Sequence, residues 1–276
     1  MSEGKIPIRR PATDIPTTAT PQEKPKYPTD VVDLPTKGWF YDESNPLSNG
    51  TIELKQMTAR EEDILANQDL IRKGKVLDKL LESIVVDKSI NPKDIFIPDK
   101  NAIFVTIRRL AYGDSYKVNV TCPACGSRNE EDINLGDLRE KEVDVSTMPR
   151  GQNKFYYTLP KSNIKITYKL LNQKDEDEIE KELAGYRKIN KENSRELTTR
   201  LKYLITSVDE NGDTSVIRKF VDEQLSAFDS RALREHIRDN TTDIDMKFDF
   251  KCSNCELERR LDVPVGASFL WPDIES

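Results

Sequence analysis

The chain has 276 residues, of which 33% are charged and 36% hydrophobic, and its formal net charge at pH 7 is -6. No apolar run reaches the roughly 18 residues of a membrane-spanning helix, and no apolar signal segment opens the chain, so we expect a soluble protein that stays where it is made. The acidic balance argues against binding along a nucleic-acid backbone, which depends on clustered lysine and arginine.

Residues 1–30 are rich in proline and threonine, with almost no large apolar residue after Ile15. Such a segment cannot bury enough surface to offset the entropy that is lost when it orders. We therefore expect a disordered or extended N-terminal arm. An arm of this kind can wrap neighbouring subunits as it folds on them.

Residues 31–140 begin with an extended piece and a strand over residues 51–57. The run Thr58-Ala59-Arg60-Glu61 is a capping box that starts a short helix. Apolar residues at helical spacing predict a second helix after Gly74; they are Val76, Leu77, Leu80, Leu81 and Ile84. A third helix is predicted from a cap at Asp99 to Gly113. Its expected buried face consists of Ile103, Thr106, Ile107 and Leu110.

Residues 141–276 repeat this order of elements. Leu34-Pro35 returns as Met148-Pro149, and seven of the 27 positions from Asp99 to Cys125 are identical 130 residues later. The extra residues of the second copy fall mostly between 178 and 215, where two longer charged helices fit. The sequence therefore predicts an α+β fold of two internally duplicated helix and β-hairpin units.

All four cysteines lie in two short motifs, Cys122-Pro123-Ala124-Cys125 and Cys252-Ser253-Asn254-Cys255. Each motif follows an alternating strand and precedes a shorter one, at residues 133–135 and 261–265. Two such hairpin tips supply the four thiolates that tetrahedral zinc prefers, so we expect one structural Zn²⁺ per chain, held by Cys122, Cys125, Cys252 and Cys255. With four protein ligands, the ion has no open position for catalysis.

Three other interpretations of the cysteines stay open: a redox-active dithiol, paired disulfides and unmetallated thiols. A thioredoxin-like dithiol would open a helix, whereas both motifs follow strands, and disulfides need an oxidising compartment. The single histidine, His236, is predicted to lie on a helix surface rather than to bind metal. No phosphate-binding loop or catalytic residue is predicted.

Two aromatic clusters lie at the margins of the predicted repeats, and each can serve core packing or partner docking. For Trp39, Phe40 and Tyr41 core packing is slightly favoured, whereas for the C-terminal cluster the two roles are balanced. The candidate partner-binding residues are Trp39, Phe40, Phe269, Leu270 and Trp271.

Four runs of this sequence form a distinctive combination: residues 33–41 (DLPTKGWFY), residues 57–65 (MTAREEDIL), residues 107–114 (IRRLAYGD) and Cys122-Pro123-Ala124-Cys125. Together they resemble the baseplate hub family of T4-like contractile-tailed bacteriophages. The resemblance covers residues 31–140, and beyond them it rests mainly on the second cysteine motif.

This resemblance implies a non-enzymatic protein of the tail baseplate hub, either a hub component or an assembly chaperone. Its partners would be other hub proteins, with the tail spike and the tape-measure protein as further candidates, and several copies would take part. It would be found in the virion tail baseplate or, during assembly, in the host cytoplasm. A zinc-stabilised nucleic-acid or transcription adaptor is the alternative, with Arg108, Arg109, Arg259 and Arg260 as its basic candidates, and a dithiol enzyme is a third possibility.

Overall fold

The computed structural model describes residues 8–9, 27–189, 195–265 and 267–270, with the backbone alone for residues 8, 9, 189, 267 and 268. Most of the predicted arm, and Trp271, lie outside the described residues. The described helices and strands form a mixed α+β fold. None of these helices is long and apolar enough to cross a bilayer.

The first half of the chain contains six strands and four α-helices within the described ranges. In chain order they are β1 (Ile8–Arg9), β2 (Thr29–Asp33), β3 (Thr51–Lys55), α1 (Ala59–Leu65), α2 (Gln68–Arg72), α3 (Val76–Ile84), α4 (Ile97–Tyr112), β4 (Ser115–Thr121), β5 (Arg128–Asn134) and β6 (Arg139–Glu140). β2 begins at Thr29, so the folded part starts before residue 31, the predicted boundary.

The second half continues with strands and helices in a similar order. They are β7 (Phe155–Thr158), β8 (Lys165–Tyr168), α5 (Gln173–Ile189), α6 (Glu196–Leu204), β9 (Ile205–Val208), α7 (Thr214–Lys219), a π-helical turn (Phe220–Gln224), α8 (Ala227–Asn240), β10 (Ile244–Asp245), β11 (Lys247–Lys251), β12 (Glu258–Asp262) and α9 (Ala267–Leu270). α5 and α6 are the two charged helices that the sequence predicts.

Each half contains an antiparallel hairpin that packs on the core, β2-β3 in the first half and β7-β8 in the second. The first sheet has the order β1-β2-β3, and an isolated bridge joins Leu54 of β3 to Val85. The second sheet has the order β7-β8-β9, in which Tyr168 of β8 pairs with Ile205 of β9. In both sheets an extended segment therefore adds to the second strand of the hairpin: Val85 lies beside β3, and β9 lies beside β8.

The helix predictions of the first half are largely confirmed. Thr58 precedes α1 and donates from its amide and its hydroxyl to the Glu61 carboxylate, at 3.0 and 2.6 Å. On α3, Leu80, Leu81 and Ile84 are fully buried, as the helical stripe requires.

The predicted cap at Asp99 is wrong. Phe96 is the N-cap residue of α4, and Pro98 occupies the first turn, where its missing N–H costs nothing. Asp99 instead points into the core, where its carboxylate accepts from the amide and hydroxyl of Thr36 and from the Tyr41 hydroxyl. Leu110, which was predicted to be buried, is only partly so.

The correspondence of Leu34-Pro35 with Met148-Pro149 is also wrong. Leu34-Pro35 follows β2, whereas Met148-Pro149 precedes β7, and the residues that follow β7 are Leu159-Pro160. One loop-to-helix contact is similar in the two halves. The Asp99 carboxylate accepts from the Thr36 amide, and the Asp229 carboxylate of α8 accepts from the Lys161 amide.

A single hydrophobic core includes buried residues from both halves. The Phe40 ring lies 4.9 Å from the Phe155 ring, and β6 pairs with β10. The Ile97 amide, at the start of α4, donates to the Leu171 carbonyl. These contacts hold the two halves together, and with them the hairpins β4-β5 and β11-β12 that carry the cysteines.

Candidate metal centre

The cysteines lie at the tips of two hairpins. β4 and β5 enclose Cys122 and Cys125, and β11 and β12 enclose Cys252 and Cys255. The strands before the cysteines are those that the alternation predicts. The strands after them begin sooner than expected, at Arg128 and Glu258.

The two tips turn in the same way. The Cys122 amide donates to the Ser127 carbonyl, and the Gly126 amide returns to Cys122. In the second tip the Cys252 amide donates to Leu257, and the Glu256 amide returns to Cys252. Gly126 and Glu256 both have a left-handed φ, 72° and 57°. This turn directs both sulfurs of a tip toward the same point.

The four sulfurs converge, and all lie within 4.8 Å of one another. The Cys122 and Cys255 sulfurs are 3.7 Å apart, as are the sulfurs of Cys125 and Cys252. Four sulfurs at about 2.3 Å from a tetrahedral zinc ion are separated by about 3.8 Å. The separation is far longer than the roughly 2.05 Å of a disulfide bond, and the cysteines are free. The cluster can therefore hold a metal ion, and two of its sulfur separations match those around a tetrahedral zinc ion.

The electrostatics of the cluster favour thiolates at some positions and oppose them at others. Hydrogen bonds from Ser127 and Asn254 lower the pKa of Cys125 to about 7. Hydrogen bonds from the Ser127 hydroxyl and from the Cys255 and Asn254 amides lower the pKa of Cys252 to about 5.

Cys255 shows the cost of crowding four sulfurs together. A backbone hydrogen bond from Leu257 lowers its pKa, but the neighbouring sulfurs, chiefly Cys125, and burial outweigh it and raise the pKa to about 12. Four adjacent thiolates repel one another unless a cation lies between them. The donor set therefore matches a divalent ion better than it matches four free thiols.

Polar side chains around the sulfurs were not identified from the sequence. Asn129 accepts from the Ser253 amide and hydroxyl at 2.8 and 2.7 Å, so it joins the two tips. The Ser127 hydroxyl lies 3.1 Å from the Cys125 sulfur and 3.3 Å from the Cys252 sulfur. Such partners orient metal ligands. Their only signal in the sequence is the presence of small polar residues inside and just after the cysteine pairs.

A small apolar cluster holds the hairpins together beneath the sulfurs. Its buried members are Val120, Cys122, Phe250 and Cys252. Cys125 and Cys255 are exposed. One side of the candidate site is thus packed and the other faces solvent.

Four of the predicted partner-binding residues lie in the described part of the chain, and these four do not form one exposed surface. Phe40, Phe269 and Leu270 are at most 3% exposed, so they are consumed by the core and are not available for docking in this structure. The Phe269 ring meets Tyr116 edge-on at 5.0 Å. Trp39 is partly buried and donates from its indole nitrogen to the Met148 carbonyl.

His236 lies away from the cysteines, and its ring stacks on Tyr157 at 4.1 Å. Burial lowers its pKa. His236 is therefore partly buried against a neighbouring ring and does not lie freely on the helix surface as predicted.

The arginines of the adaptor alternative do not form a free basic face. Arg108 is buried and lies over the Tyr112 ring. Arg109 pairs with Asp114 at 2.6 Å, and Arg260 pairs with Asp245 at 2.9 Å. Arg259 is exposed on β12. Since phosphate binding needs clustered unpaired cations, this arrangement disfavours a nucleic-acid interface.

The chain was also compared with known proteins. No curated protein and no solved structure matches it. A family model described as "T4 bacteriophage base plate protein" matches residues 40–271, a range that includes both cysteine motifs and nearly all of the described fold. The chain therefore belongs to the family of T4 bacteriophage base plate proteins.

Proposed function

We propose that this chain is a non-enzymatic structural or assembly protein of the baseplate hub, in which one zinc ion clamps two duplicated halves. The observation that carries the proposal is the family match over residues 40–271, together with a four-cysteine cluster to which the first and second halves of that range contribute two ligands each. The site would hold structure, since all four positions around the ion are filled by sulfur.

Zinc is the ion that the donor set favours. Four thiolates in a tetrahedral arrangement are typical of structural zinc, whereas calcium and magnesium take oxygen ligands. Cys122, Cys125, Cys252 and Cys255 would hold it. When bound, the ion would contribute charge neutralisation and cross-linking only.

Duplication of the two halves is supported by matched backbone contacts. The Leu34 amide donates to Gly50 in the first hairpin, and the Leu159 amide donates to Ile164 in the second, both at 2.9 Å. The third extended segment, the loop-to-helix contact of Asp99 and Asp229, and the left-handed residue of each tip add three further correspondences. In this interpretation each half supplies one tip of the clamp.

The metal proposal is tested by measuring the metal content of protein purified without a chelating tag. We expect about one zinc per chain and four thiols that react with a thiol reagent only after a chelator is added. Four thiols that titrate freely in metal-free, stably folded protein would overturn the clamp.

The hub proposal is tested by assembling tails with and without the chain. We expect that baseplates made without it lack the central hub, as seen by electron microscopy, and that mass spectrometry finds the chain in hub precursors. If the chain is present in finished tails, it is a component of the hub. If it is found in hub precursors but not in finished tails, it is an assembly factor. Normal baseplates formed in its absence would contradict both roles.

A further inference from the structure

The sequence contains two Asn-Gly pairs, Asn49-Gly50 and Asn211-Gly212. Asparagine is among the chemically labile residues. Its side-chain carbonyl carbon can be attacked by the amide nitrogen of the next residue, and glycine at that place offers no Cβ to hinder the approach. The reaction needs only a base and water. The two pairs have the same local chemistry, so the fold decides which of them reacts.

The fold restrains the Asn49-Gly50 pair. Asn49 ends a 3₁₀ helix, and the Gly50 amide donates to the Leu47 carbonyl at 3.0 Å. Gly50 is buried and has a left-handed φ of 77°. A Cβ at this position would lie only 2.8 Å from the Lys37 carbonyl oxygen. The attacking amide is therefore engaged and closely packed, and the turn would have to open before it could reach the Asn49 side chain.

The Asn211-Gly212 pair is unrestrained by comparison. It lies between β9 and α7, and both of its residues are exposed. No described residue accepts a hydrogen bond from the Gly212 amide or from the Asn211 side-chain nitrogen. Apart from its chain neighbours, the atom nearest to a Cβ added at Gly212 is the Thr206 carbonyl oxygen, at 3.4 Å. Both the attacking and the leaving nitrogen are thus accessible to water.

The Asn211 side chain is also held and polarised. The Asp213 amide donates to its Oδ1 at 2.9 Å. Attack by the Gly212 nitrogen would place negative charge on this oxygen, and a backbone N–H directed at a developing oxyanion stabilises it. The main chain of Asn211 is fixed by its two hydrogen bonds with Val208, both at 2.9 Å. The carbonyl group is therefore prepared for attack while the nucleophile beside it stays free.

We propose that Asn211 is a site of spontaneous deamidation in the folded chain. The Gly212 nitrogen loses its proton to hydroxide and forms a bond to Cγ of Asn211. The bond from Cγ to Nδ2 breaks, and Nδ2 takes up a proton and leaves as ammonia, which closes a succinimide ring. Water then opens the ring at its side-chain carbonyl, giving aspartate, or at its main-chain carbonyl, giving isoaspartate. Water is consumed, ammonia is released and nothing is oxidised or reduced.

Both products change the turn between β9 and α7. Each adds a negative charge next to Glu210 and Asp213. Isoaspartate also lengthens the main chain by one carbon, so it cannot keep both hydrogen bonds with Val208. The modified protein should therefore be more acidic than the parent and less ordered at the end of β9.

The test incubates the full chain in mildly alkaline buffer at physiological temperature and follows both pairs by peptide mass mapping. Enzymatic methylation of isoaspartate is a second readout. In the folded protein we expect Asn211 to react at least tenfold faster than Asn49, which must wait for local opening. In guanidinium chloride the two rates should agree within about twofold, because neither pair is then restrained.

Gly212→Ala adds a methyl group that hinders the attack and has room in the fold, so it should slow the reaction of Asn211 at least tenfold. Gly185→Ala is the matched control, since Gly185 is exposed on α5 with nothing within 4 Å of an added Cβ, and it should react as the parent does. Three results would overturn the proposal: an unmodified Asn211, equal rates for Asn211 and Asn49 in the folded chain, and a parent-like rate for Gly212→Ala. The measurement needs neither zinc nor a baseplate, so it is independent of the proposed function.

Discussion

The first and second cysteine tips share a backbone course and differ in the side chains that surround the sulfurs. The first tip contributes Ser127 and Asn129, which reach across to Cys252 and Ser253 of the second. The second contributes Asn254, whose amide approaches the Cys125 sulfur. Neither tip is a complete site by itself, because each contributes only two of the four sulfurs. The polar side chains of each tip also contact a sulfur of the other tip.

The same asymmetry extends to the halves that carry the tips. The carboxylates of Asp99 and Asp229 both accept from a loop amide and both are buried, at 0% and 1% exposure, yet their pKa values are shifted in opposite directions. Burial raises the pKa of Asp99 to about 6, against hydrogen bonds from Thr36 and Tyr41 that lower it. For Asp229 hydrogen bonds from Lys161, Ser162 and Ser226 outweigh burial, and its pKa is lowered. The two carboxylates thus have opposite electrostatic roles.

The largest effect is expected from removing one buried ligand of each tip. Cys122→Ser and Cys252→Ser should each abolish stoichiometric zinc binding and destabilise the chain by more than about 3 kcal/mol, because a structural zinc ion contributes to folding directly. Metal analysis and urea unfolding measure both quantities. The parent protein in excess chelator is the control and should behave like the variants. Retention of one zinc by either variant would show that the tips bind metal independently.

The second prediction compares Asp99→Asn with Asp229→Asn across pH. Because the folded pKa of Asp99, about 6, lies above the ordinary value of 3.8, stability should fall as pH rises from about 4 to about 6, by about 3 kcal/mol. Asp99→Asn should remove this decline. Asp229 has a lowered pKa, so its contribution is present above about pH 4 and lost below it. Urea unfolding of each variant and the parent at matched pH gives the differences, and identical signs for the two positions would refute the assignment.

The third prediction concerns the side chain that joins the tips. Asn129→Ala leaves the Ser253 amide without its acceptor and should lower stability by about 1–3 kcal/mol and zinc affinity by about 10- to 100-fold. Arg259→Ala is the matched control, since Arg259 is exposed on β12 next to the second tip. Zinc competition with a chromogenic chelator measures the affinity. Equal affinities for the two variants would mean that Asn129 does not support the site.

The smallest effect is expected at the left-handed residue of each tip. Glu256, at φ 57°, occupies a conformation that glycine adopts at lower cost, and nothing lies within 4 Å of a side chain added at Gly126. Glu256→Gly should therefore stabilise the zinc-loaded protein by about 0.5–1 kcal/mol, and Gly126→Ala should destabilise it by about 1 kcal/mol. Urea midpoints determine both, and shifts of the same sign would contradict the shared turn.

Local features of the fold could be predicted because their causes lie close together in the chain. The Thr58 capping box, the stripe on α3 and the strands before each cysteine pair depend on spacing over a few residues, and the structure contains all of them. The convergence of the four sulfurs was expected because tetrahedral zinc prefers four thiolates and because matched strands lead into the two cysteine pairs.

The packing contacts of apolar residues could not be predicted from local spacing in the same way. Phe40 and Phe269 are removed from water by contact with Phe155 and Tyr116, far away in sequence. Hydrophobic burial has no direction, so a side chain gains as much from its own core as from a partner. A sequence pattern that marks a residue as apolar therefore leaves its contact open.

Spacing and residue type by themselves determined the cysteine tips, the main helices and the mixed α+β class. Only the tertiary structure decided that Asp99 is a buried acceptor rather than a helix cap and that Asn129 joins the tips. It also decided that the β7 edge lacks the added strand that β2 has among the described residues. The physical reason is the distance along the chain over which each feature is determined. A cap or a turn is fixed by neighbouring residues. Burial, cross-tip hydrogen bonds and a free strand edge depend on packing between segments that only the complete fold brings together.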